Sequence, residues 1–180
     1  MNTLEQYQGV LTSCKDIYLK KAADYGTSWR VYRTISIVDQ IYIKAWRIRQ
    51  IQEVGEQKIA DSIESEFAAM VNYGIMALIQ LTLSKDKGFD LTIAEAEQYY
   101  DEQATMVREL MLQKNHDYGE AWRELSQASF VDLILTKLLR IKQILANDGK
   151  TIISEGIDAN FSDIINYAIF ALIKIRYSSK

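Results

Sequence analysis

Apolar residues recur at helical spacing along most of this chain. Ile35, Val38, Ile41, Ala45, Ile48 and Ile51 share one helical face, and Ala128, Val131, Ile134, Leu138, Ile141 and Ile144 share another. Two further runs, Phe67–Leu83 and Phe161–Ile175, are apolar around most of the helix circumference, as core helices are. Proline is absent, and eight glycines supply the punctuation. Asp-Tyr-Gly at 24–26 and 117–119 reads as a helix end with glycine in a left-handed cap. Gly55 and Gly149 end the next helices, and Gly88 sits in the polar stretch SKDKGFD. The pattern predicts six helices, over 3–24, 28–53, 57–82, 92–117, 121–147 and 151–177. Gly156, inside the last of these, is placed to delay its start.

The six helices are three helices written twice. Residues 21–51 match residues 114–144 at a shift of 93, with about half the positions identical. Residues 55–79 match 149–173 at a shift of 94. The extra residue falls between Ile144 and Gly149, where a turn absorbs it. The expected fold is all-α: two three-helix units packed as a pseudo-twofold helical bundle. The first repeat spans 1–83, a linker 84–91, and the second repeat 92–180, expected to form one compact domain.

Composition narrows the function classes. The net charge of −3 and the absence of a Lys/Arg block argue against direct nucleic-acid binding. A single cysteine, Cys14, excludes an internal disulfide, and a single histidine, His116, excludes a Cys/His zinc cluster. The apolar runs are short for a bilayer span and contain Asn and Tyr, so no membrane segment is expected. The polar first residues lack a signal-peptide core, and a cytoplasmic location follows as the expectation.

The polar residues kept in both copies are the candidates for chemistry. Tyr118 and Trp122, with Tyr25 and Trp29 in the first copy, either fix a turn or stack on a planar ring. Asp39, Lys44 and Arg47 match Asp132, Lys137 and Arg140, and each trio spans about 140° of a helix. They are either a solvated ion-paired face or a phosphate clasp. Asn72 and Asn166 each interrupt an apolar run. A buried amide requires a partner, either a structural hydrogen bond, for instance between the two asparagines, or a ligand. Glu155, Asp158 and Asp163 lie upstream of Asn166 on one predicted helical stripe. The first copy has Asp61, Glu64 and Glu66 instead, with Ala69 opposite Asp163 and Asn160 opposite Glu66. Clustered carboxylates of this kind could hold Mg²⁺.

Asp-Tyr-Gly, then a Lys-x-x-Arg-Ile helix, then an acidic helix ending in Asn-Tyr-x-Ile-x-Ala-Leu, resembles the type 1 nucleotide-modification-associated domain. That family is all-helical and uncharacterised, and the likeness covers most of both copies. It is similar in turn to the MazG-like all-α nucleoside triphosphate pyrophosphatases, which hold Mg²⁺ around a triphosphate with acidic helix pairs. The resemblance implies a nucleotide-binding protein, or a pyrophosphohydrolase. Metal would sit on Glu155, Asp158, Asp163 and Asp132; Lys137 and Arg140 would hold phosphates, with Lys44 and Arg47 their counterparts. Tyr118, Trp122, Asn166 and Asn72 would complete the ligand contacts. The second helices depart from the enzymes' pattern, offering only Asp39 and Asp132 where a pair is expected.

A non-catalytic helical interaction module is the other reading, with the charges as surface. Whether the chain is an enzyme, and whether it forms a homo-oligomer, stay open in the sequence. A single-copy relative would pair as a symmetric dimer, and this chain carries both halves. The second copy, with Asp163, is the expected functional one.

Overall fold

A computed structural model describes residues 1–59 and 61–178. The described residues form six α-helices: α1 (Thr3–Tyr25), α2 (Thr34–Val54), α3 (Ile63–Thr82), α4 (Ile93–Tyr118), α5 (Gln127–Ala146) and α6 (Ile157–Tyr177). The all-α reading holds, and the three helices of each copy correspond.

The starts of four helices differ from expectation. Trp29 and Trp122 lie on short 3₁₀ turns, Ser28–Val31 and Ala121–Glu124, and α2 and α5 begin only after them. The stripes therefore begin later. Ile35 is 40% exposed and Ala128 is exposed, while Ile37 and Phe130 are buried instead. α3 begins at Ile63, capped by the Ser62 side chain, and α6 at Ile157, with Gly156 as its first flanking residue. Asp61 and Glu155 thus stand outside their helices, and the helical-wheel argument that aligned them does not apply. Gly26 and Gly119 have positive φ but extended ψ, −152° and −143°, a region that only glycine occupies readily. Gly55 makes the left-handed cap that its sequence predicts.

One apolar core draws on both copies, with α3 and α6 crossing at its centre. They approach most closely at Gly74, where a Cβ would meet Ile165 Cγ1 at 2.5 Å. α2 packs on α5 beside them, and α1 and α4 close the other side.

Polar contacts between the copies come in matched pairs. Tyr7 of α1 donates to Asn166 Oδ1 at 2.7 Å, and Tyr100 of α4 donates to Asn72 Oδ1 at 2.8 Å. Each Asn amide donates in turn to a backbone carbonyl of its own copy, Asn72 to Cys14 and Asn166 to Val107. Across α2 and α5, Arg49 pairs with Asp132 and Lys142 with Asp39. Residues at the 93/94 shift exchange partners, as a twofold relation requires.

Candidate functional site

This pairing gives several of the candidates partners within the protein. Asn72 and Asn166 are buried and bonded to tyrosine hydroxyls, not to each other. Trp122 is 7% exposed and stacks flat on Phe170, centroids 4.2 Å apart, so it pins the 3₁₀ turn to α6. Tyr118 ends α4 and is 76% exposed. Asp132 is spent on Arg49 at the α2–α5 contact.

The expected metal set does not assemble. Glu155 and Asp158 are exposed, in the loop before α6 and in its first turn. Asp163 is buried, and both its oxygens are taken by lysines: Oδ1 by Lys114 at 2.7 Å, Oδ2 by Lys137 at 2.9 Å. Burial works to lower the Lys114 pKa, but the Asp163 hydrogen bond and charge outweigh it and raise it. Among the described residues, no group of three or more acidic, His or Cys side chains is placed to hold a metal ion. The donors present do not fit Mg²⁺.

The corresponding region of the first copy is arranged differently. Glu66, one helical turn before Ala69, lies against both cations of the Lys-x-x-Arg pair of α2, 3.8 Å from Lys44 Nζ and 3.5 Å from Arg47 Nη1. Arg47 Nη2 also donates to the carbonyls of Ile59 and Asp61, at 3.2 and 2.8 Å, so these two residues of the α2–α3 connection lie over it.

In the second copy the loop stands away and leaves a cleft of about 1250 Å³ between it and the C-terminal half of α5. Lys137 and Arg140 line it from α5, Lys150 from the loop, and Glu155 and Asn160 from the approach to α6 and its first turns. Leu139, Ile152 and Ile153 supply apolar wall, the two isoleucines 99% and 95% exposed. Lys137 is committed to Asp163, while Arg140 makes no side-chain hydrogen bond or ion pair among the described residues. Three cations against one carboxylate leave the lining positive on a chain whose net charge is negative. A guanidinium with a free planar fork suits a phosphate or carboxylate, and Lys150 adds a mobile point charge.

Sequence reasoning found Lys137 and Arg140 but missed Lys150 and Asn160 as neighbours. Lys150 follows the inserted residue of the second copy, and that irregularity was the signal for it.

No helix among the described residues is long and apolar enough to cross a membrane. Searches of curated proteins and of solved structures found no match to this chain. The sequence profile of nucleotide modification associated domain 1 matches twice, over residues 21–81 and 114–175. These segments hold the Asp-Tyr-Gly turns, both Lys-x-x-Arg helices, the cleft and both buried asparagines, and the chain belongs to the nucleotide-modification-associated domain 1 family.

Proposed function

We propose that the second-copy cleft binds the phosphates of a nucleotide, with Arg140 as the principal anchor and Lys150 as a second charge. The observation that carries this is the unpaired Arg140 in an open cleft, set against Arg47, which has Glu66 beside its Nη1 at 3.5 Å and donates from Nη2 to two carbonyls. Lys137, held by Asp163, orients the wall and contributes a partly neutralised charge. Leu139, Ile152 and Ile153 offer an apolar surface to a base. The family's link to nucleotide modification supports the ligand class. The proposal stops at binding, because a Mg²⁺-dependent pyrophosphohydrolysis would need converging carboxylates, and these lie apart.

The test is calorimetric titration with mono-, di- and triphosphates of canonical and modified nucleosides, with and without Mg²⁺. Affinity should rise with phosphate charge. Arg140→Ala should weaken it roughly 10- to 100-fold, the loss of a charge-assisted hydrogen bond worth about 1.5–3 kcal/mol. No heat and no thermal shift across the panel sinks the reading.

The exposed Ile152 and Ile153 favour a second reading, a protein-interaction module. In that case Ile152→Ser with Ile153→Ser abolishes a partner complex that Arg140→Ala leaves intact.

A further inference from the structure

The two copies place one carboxylate each beside their α2 or α5 cations, but at different heights. In the first copy it is Glu66, six residues before Asn72; the equivalent residue in the second copy is Asn160. In the second copy it is Asp163, three residues before Asn166; its equivalent is Ala69. Six residues is nearly two helical turns and three is nearly one, so the acid has moved about one turn along the same helix face. The move changes which cation is neutralised. Glu66 reaches both Lys44 and Arg47. Asp163 reaches Lys137 and Lys114, and Arg140 is left over.

We infer that the first copy is a counterpart site filled by its own side chain, so that each chain binds one anion. Glu66 gives Arg47 the counter-charge that a bound phosphate would give Arg140 in the second copy. The identity of the residue at 66 and 160, acid or amide, decides which copy is open. Three further observations agree with this assignment. Glu66 is 7% exposed, so its charge is held at the pair and not in solvent. Arg47 Nη1 is buried without a hydrogen bond among the described residues, and Glu66 at 3.5 Å is the counter-charge beside it. Ile59 and Asp61 cover Arg47, whereas the counterpart loop, with Ile152 and Ile153 extended into solvent, makes no hydrogen bond to Arg140 among the described residues.

The inference rests on the phosphate-binding reading of the second copy, and charge-neutral exchanges separate the two. The probe is inorganic tripolyphosphate, titrated calorimetrically, with melting by circular dichroism to verify folding. Wild type should bind one anion per chain. Glu66→Asn with Ala69→Asp, which writes the second copy's acid position into the first, should raise the stoichiometry to two. Asn160→Glu with Asp163→Ala should abolish binding at unchanged net charge. Should the first exchange fail to fold, Glu66→Gln keeps the side-chain shape, removes the charge and must also add a second site. No binding by wild type rejects the phosphate reading and this inference with it. Wild-type binding of two anions, or of one with every folded variant also at one, rejects this inference alone.

Discussion

Tyr100→Phe removes one oxygen and tests how the two copies are joined. The Tyr100 hydroxyl is buried and donates to Asn72 Oδ1 at 2.8 Å, and Asn72 is 6% exposed. Without it the amide oxygen has lost the donor that faces it. Orphaning a buried acceptor costs about 1–3 kcal/mol, more than the net worth of the bond itself. For a chain of 150–250 residues each kcal/mol lowers the melting temperature by about 2–4 °C. The expected drop is therefore about 2–12 °C, with a matching shift in the urea midpoint at constant slope. Tyr7→Phe orphans Asn166 in the same way and should cost the same to within about 0.5 kcal/mol, the tolerance for independent sites. Asn72→Leu with Tyr100→Phe removes both partners, so it should cost less than the two single changes added together. A Tyr100→Phe protein within about 0.5 kcal/mol of wild type, or a double variant as costly as the sum, would refute the argument.

Gly74→Ala drives a methyl against Ile165 and should destabilise by about 1–3 kcal/mol. Ile165→Val should restore part of that, because the equivalent positions in the other register are Ala168 and Val71; urea titration reads both changes. Burial raises the Tyr7 and Tyr100 phenols well above their ordinary value of 10.0. The protonated form is the folded one, so this stability is complete below pH 10 and is lost as pH rises beyond it. Alkaline unfolding followed by tyrosinate absorbance should show a cooperative step, and independent titration of all tyrosines near pH 10 would contradict it. Burial pushes the Cys14 thiol up to about 12. Iodoacetamide at neutral pH should leave it unmodified until denaturant is added; prompt alkylation of the native protein would show that α1 does not pack as described.

Repetition made the helix count and the buried α3–α6 pair legible in the sequence. Which residue meets which across the copies was not. Tyr7 and Tyr100 lie 93 apart, like the rest of the repeat, but upstream of the strongly matching block, so the partners of the asparagines went unseen. Extending the comparison fourteen residues upstream of Lys21 would have reached them. The metal reading failed on a local point. Glu155 joined Asp158 and Asp163 only if the helix ran through Gly156, and the helix starts after it. Trp122 keeps the spacing of Trp29, and its ring pins a 3₁₀ turn to α6. A period in sequence does not distinguish that role from a ligand's. The pairing of Asp163 with two lysines, and the freedom this leaves to Arg140, depend on how α4, α5 and α6 converge, which no single helix pattern carries.

The crossed tyrosine–asparagine bonds also set an order of events during synthesis. Tyr7 is made 159 positions before its acceptor, Asn166 of α6. At about 5–20 residues per second, the ribosome needs roughly 10–30 s to supply it. Through that interval α1–α3 can form helices, yet α3 faces an absent α6, and the Tyr7 hydroxyl must be satisfied by water. The first copy thus waits in an open form for the second, and the native packing is complete only once α6 has been made. A duplicated unit that seems able to fold early is bound by its own symmetry to fold late.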